Sequence, residues 1–130
     1  MVGVKVTTRS EMLKVLRKAR RANIESLGHA GAAIRLAARH SIRRSAGPSA
    51  PGSPPHTRRG QLKRAILYAV EKASQSVVIG PAYGLIGLSA TAHEFGGRYK
   101  HERYPQRPFM GPALEQTKDR LPRHWAGSVK

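Results

Sequence analysis

The chain has no cysteine, so neither a disulfide nor a thiolate metal site is open to it. That absence is compatible with a reducing cytoplasm. Aromatic residues make up only 5% of the sequence against 39% hydrophobic residues, so Leu, Ile, Val and Ala must fill most of a modest core. No apolar run approaches the roughly 20 residues that cross a bilayer. The opening Met1-Val2-Gly3-Val4-Lys5-Val6 is too short for a signal peptide and lacks a following apolar segment. Acidic residues are the scarcest class relative to need: seven face 24 Lys and Arg, for a formal charge of +17.

That charge predicts association with polyanions at low salt. A DNA contact and docking onto an acidic protein are both Coulombic and both screened by salt, so charge alone does not separate them. The candidate contacts are Arg58, Arg59, Lys63 and Arg64, with Arg20, Arg21, Arg43 and Arg44 beside them. No helix-turn-helix, zinc finger or aromatic ribonucleoprotein motif is present, so any DNA contact is expected to be to phosphates and independent of sequence. A solvated surface is the default for any single one of these cations.

At 130 residues the chain reads as a single domain, 1–130. Val2, Val4 and Val6 alternate as in a short strand. Thr8 and Glu11 fit a capping box before a helix over 8–44, centred on Ser10 to Arg44. Its apolar stripe is Leu13, Leu16, Ala19, Ile24, Leu27, Ile34, Ala38 and Ile42. Lys14, Arg17, Lys18, Arg35 and Arg39 join the other basic residues opposite. Gly28 and Gly31 permit a kink, a break or a close approach by a neighbour. Residues 45–60 hold four prolines and three glycines and read as an irregular loop, either a linker or an extended basic arm.

Residues 61–121 read as a sheet plus short helices. Gln61 to Ile66 forms a helical turn, and Leu67–Lys72 and Ser76–Ile79 form a hairpin that Gly80-Pro81 ends. Tyr83–Leu88 is glycine-interrupted and irregular. Ser89 caps a helix to Phe95, Arg98–Met110 supplies edge strands, and Pro112–Leu121 is a last helix closed by Pro122. Residues 122–130 form a loose tail. The expected fold class is α+β: a long N-terminal amphipathic helix and short helices packed on a small antiparallel sheet.

Catalysis finds no support. His93-Glu94 would need a second histidine at position 97 to hold zinc on one helix face, and Gly97 stands there. The six histidines are scattered, the acids form no carboxylate pair, no serine sits in a nucleophile elbow, and no glycine run matches a phosphate loop. No cofactor is implied. His93 and Glu94 are expected to make polar contacts at a helix end. Phe95 and Phe109, with Met110 and Leu114, are expected to anchor the core.

Two stretches carry more. His93-Glu94-Phe95-Gly96-Gly97 ends a helix, and Gln106-Arg107-Pro108-Phe109-Met110-Gly111-Pro112 leads into the next. Upstream stand Pro51-Gly52-Ser53-Pro54-Pro55, then Thr57 to Ile66, then Val77 to Pro81. In this order they resemble the tail-completion, or head–tail joining, proteins of tailed bacteriophages. Their pattern runs P-G-x-P-P, T-G-x-L, V-x-I-G-P, a helix ending in E-F-G, then P-x-R-P-F. Here Arg58 and Arg59 intervene between Thr57 and Gly60, a departure from it. The resemblance implies that Glu94, Phe95, Gly96, Gly97, Arg107, Pro108, Phe109 and Pro112 form a structural motif. It implies a non-catalytic virion protein of the neck or tail top, assembled in the host cytoplasm as a homo-oligomeric ring, a hexamer. Its neighbours would be head-completion or connector proteins and tail-tube proteins, with packaged double-stranded DNA passing through. A sequence-independent DNA-binding protein is the alternative. The loop 45–60 and the segment Arg98–Met110 are the expected inter-subunit contacts.

Overall fold

A computed structural model describes the backbone of residues 2–129 and the side chains of residues 11–129. One helix, α1 (Val2–Ser41), runs the length of the molecule. It is rich in Ala, Leu, Lys and Arg, the residues that lose least on entering a helix. It continues straight through Thr8, so neither the N-terminal strand nor the capping-box start forms. It stops at Ser41, where Ser41 Oγ donates to the Ala38 carbonyl at 2.7 Å.

The chain then pairs β1 (Arg43–Arg44) in parallel with β2 (His56–Thr57), Arg43 opposite His56. A short helix α2 (Gln61–Ala65) leads into a hairpin of β3 (Ile66–Glu71) and β4 (Ser76–Pro81). The hairpin is in register from Ile66 opposite Pro81 to Glu71 opposite Ser76, so Gly80-Pro81 completes the second strand instead of ending it. Two short helices follow, α3 (Tyr83–Ile86) and α4 (Ser89–Phe95). The first replaces the irregular stretch expected there. Ser89 begins α4 instead of capping it, because its hydroxyl turns back to the Ile86 carbonyl at 2.9 Å. A second hairpin joins β5 (Gly97–Tyr99) to β6 (Glu102–Tyr104). Helix α5 (Met110–Thr117) passes directly into a 3₁₀ helix (Lys118–His124) that contains Pro122.

The class is α+β, with its strands in separate two-stranded ladders. The core sits under the C-terminal half of α1: Ile34, Ala38 and Ile42 meet Leu62, Ile66, Ala90, Phe109 and Ala113. Phe109 is fully buried. Phe95 is 73% exposed and Leu114 47% exposed, so neither joins it as expected. Helix geometry gives the reason. Glu94 is committed to α5, and Phe95, about 100° further round the helix, faces outward. Ala113 and Thr117, one turn apart, take the buried stripe of α5 and leave Leu114 outside.

The C-terminal segment is docked and not loose. Trp125 Nε1 donates to Asn23 Oδ1 at 2.8 Å, and Ser26 Oγ to the His124 carbonyl at 2.7 Å. The first hairpin lies along the opposite flank of the helix middle. There Arg20 donates to the Lys72 carbonyl and Asn23 to Gln75. Neither helix glycine breaks α1. Gly31 is a close approach: a Cβ there would lie 2.8 Å from Val77 Cγ2 and 2.9 Å from the Tyr68 ring. At Gly28 the nearest atom would be 4.0 Å away.

Opposite outcomes are expected at these two glycines. Gly28→Ala gains helix propensity and raises stability by up to about 1 kcal/mol. Gly31→Ala drives a methyl into a stiff valine and a ring, and lowers stability by about 1–3 kcal/mol. Thermal melts of the two variants beside the parent chain check both signs.

Candidate functional site

The two stretches that carry the resemblance meet as one staple. The Glu94 carboxylate, at the end of α4, accepts hydrogen bonds from the backbone N–H of Phe109 (2.8 Å), Met110 (3.0 Å) and Gly111 (2.9 Å). These are donors that the start of α5 cannot satisfy within the helix. A carboxylate there also faces the positive end of the helix dipole. The cap is supplied from 15 to 17 residues upstream in place of a local side chain.

Arg107 closes the staple from the other side. Its N–H donates to the His93 carbonyl at 2.6 Å, and its Nε to the Ser49 carbonyl at 2.9 Å. Gly52 N–H donates to the Gln106 carbonyl at 2.8 Å. The Pro-rich loop is therefore folded back on the body, with Ser49, Pro55 and Thr57 buried, and is neither a free linker nor an extended arm. Gly96 is required at the crossing. Its φ is +74°, and a Cβ would stand 3.3 Å from both the Gln106 nitrogen and the Tyr104 oxygen. Gly97 opens β5, Pro108 is half-buried before Phe109, and Pro112 sits in the first turn of α5.

The candidate cations are not gathered into one patch. Arg20 and Arg21 lie with Arg17, Ile24 and Lys72 along a shallow cleft where α1 meets the hairpin tip. Arg58 stands near the other end of α1, roughly 35 Å away along the helix at 1.5 Å per residue. Its Nε donates to the Ala46 carbonyl, and Arg44 Nε donates to the Arg58 carbonyl, so these guanidiniums fasten the loop as well as charge it. Arg59 and Arg64 are exposed and Lys63 half-buried. Among the described residues, the ion pairs made by lysine and arginine are Lys14–Glu11 and Lys118–Glu115, both exposed. The remaining positive charge is largely unneutralised.

Arg58, Arg103 and Arg107 line a cleft of about 410 Å³ together with His56, His93 and Tyr104. The Nδ1 atom of His93 is buried there without a partner. Burial holds the His93 imidazole below the ordinary histidine value of 6.5, and the nearby Arg107 adds to the effect. Among the described residues no three His, Asp or Glu side chains converge as metal ligands, and no helix is long and apolar enough to cross a membrane.

The apolar surface was harder to foresee. Leu13 and Leu16, expected on the buried stripe, are 45% and 58% exposed, and every residue from Glu11 to Lys18 is exposed. Tyr83, Leu85 and Leu88 join Phe95 as a second exposed apolar group. The only sequence signal for the latter is the lack of any Lys or Arg between Lys72 and Arg98.

Glu94→Gln keeps the shape and removes the charge. It should cost about 1–3 kcal/mol, the scale of hydrogen bonds to a charged group, and lower the melting temperature by several degrees. His93 gives a pH signature. Well above pH 6.5 it is neutral in both states. As pH falls, the unfolded chain takes up a proton that the folded chain resists, so stability is lost as pH drops through the folded value. Melts from pH 7.5 to pH 5 should decline less steeply for His93→Gln than for the parent chain. Comparison with known protein families, with curated proteins and with solved structures finds no match to this chain.

Proposed function

We propose that this protein is a structural component of a tailed-phage virion, acting at the neck or tail top as a homo-oligomeric ring that completes the tail and joins it to the DNA-filled head. The observation that carries the reading is apolar surface left outside the folded unit: Met12, Val15 and Leu16 on the projecting half of α1, and Tyr83, Leu88 and Phe95 beside α4. A chain with so small a core gains stability by burying such surface against copies of itself. The staple built by Glu94, Arg107 and Phe109 supports the reading in a second way. Among the residues of the resemblance, Glu94, Arg107 and Phe109 are engaged in hydrogen bonds and packing within the scaffold.

The excess of unpaired cations serves docking onto acidic faces of neighbouring rings. A channel lined with that much positive charge would hold DNA back as it leaves. The same unpaired cations favour one other reading, a free protein that binds duplex DNA through phosphates. The mass of the purified chain at physiological salt, with and without duplex DNA, separates the two. A discrete multiple of 14.2 kDa that forms without DNA is the expected result. A monomer whose DNA affinity falls steeply with salt overturns it. Reversing the exposed Arg59 to Glu should impair head–tail joining in an assembly assay. It should leave the salt slope of DNA binding within about one unit, the effect of losing one phosphate contact.

A further inference from the structure

The two exposed apolar surfaces differ in charge: one is edged by cations, and the other is lined by no Lys or Arg. On α1, Met12, Val15, Leu16 and Ala19 fall within a stripe of about 100°, flanked by Lys18 and Arg20, with Lys14, Arg17 and Arg21 on the far side. The stripe continues the face that Ala22, Ser26, Ala30 and Ile34 bury against the body. The body runs out near Arg20, where the hairpin tip ends. The helix goes on without it.

The second surface is a groove of about 270 Å³ between α3, α4 and the start of α5, lined by Tyr83, Leu88, Ala90, Phe95, Phe109 and Met110. Apart from Phe109 and Met110, its lining falls in the long stretch Ala73 to Gly97 that has no Lys or Arg, and its single charge is Glu94. In a chain of +17, this is the surface on which a cationic helix meets no like charge.

We infer that this groove receives the N-terminal half of α1 from a second copy of the chain. The inference rests on the assembly reading above and names its interface. The contact is intermolecular by geometry. The groove backs onto Phe109, which packs with Ile34, Ala38 and Ile42 near the far end of α1. Leu16 lies roughly 30 Å from that level along one uninterrupted helix, which cannot turn back on itself. Pairing of α1 stripe against α1 stripe is disfavoured, because it would bring the flanking lysines and arginines of two copies together. A groove-to-helix contact uses different patches on the two partners. It is head-to-tail, and repeated through a closing rotation it gives a ring.

Two variants of the full chain test this by native mass spectrometry, with circular dichroism and melting curves to verify folding. One carries Met12→Glu and Leu16→Glu, the other Leu88→Glu; Leu88→Ser replaces the latter should the charge prevent folding. The parent chain is expected to form a discrete oligomer and each variant alone a 14.2 kDa monomer. Mixed in equal amounts, the variants should give a heterodimer and nothing larger, since the intact groove of one accepts the intact helix of the other. If the parent assembles and the helix variant still matches it, this interface is wrong and the assembly reading stands. Homodimers of either variant alone, or no complex on mixing, also overturn the interface. A parent chain that stays monomeric at every concentration overturns the assembly reading itself.

Discussion

The carboxylate of Glu94, held against the first backbone N–H groups of α5, is the contact on which the second half of the molecule depends. A helix start leaves donors unsatisfied, and Phe109 at the start of α5 has no capping side chain of its own. By taking the cap from α4, the fold ties two short helices together across the β5–β6 hairpin. The same contact fixes Phe109, the largest fully buried side chain, beneath α1. Arg107 extends the tie to the Pro-rich loop through Ser49. Helices of seven and eight residues would not hold as isolated segments in water. They persist because the Glu94 carboxylate and the Arg107 backbone N–H tie α4 to the start of α5 beside the crossing at Gly96.

Charge and apolar surface are divided unevenly between the ends of the molecule. The guanidiniums of Arg44 and Arg58 are spent partly on backbone carbonyls, so some of the positive charge is structural. Among the described residues the ion pairs of lysine and arginine are exposed, and such pairs contribute little. The result is a cationic surface with one apolar window that has no Lys or Arg, and a helix whose apolar face outlasts the body that should cover it. A protein that acted alone would gain nothing from leaving these two surfaces in water. One that assembles has a use for both.

Much of the architecture was legible along the chain. The long helix follows from its Ala, Leu, Lys and Arg content, and the β3–β4 hairpin from β-branched residues flanking Ala73-Ser74-Gln75. Other readings failed for physical reasons that involve distant partners. Val2, Val4 and Val6 alternate as a strand would, yet among the described residues no strand pairs with them, and the helix extends through instead. The segment after Pro122 looks loose because it lacks local pattern, but Asn23 and Ser26 on α1 hold it. Phe95 reads as core because it is aromatic, and only the orientation of Glu94 turns it outward.

The sequence by itself determined the class, the helix, the hairpin and the total charge, because these depend on local propensity, spacing and composition. The resemblance also grouped Glu94, Phe95, Gly96, Gly97, Arg107, Pro108, Phe109 and Pro112 as a set. Tertiary structure decided what that set does, since a cap given across 15 residues has no local signature. It likewise decided which apolar residues stay outside. Burial depends on where the body of the protein ends, and periodicity along a helix carries no information about that.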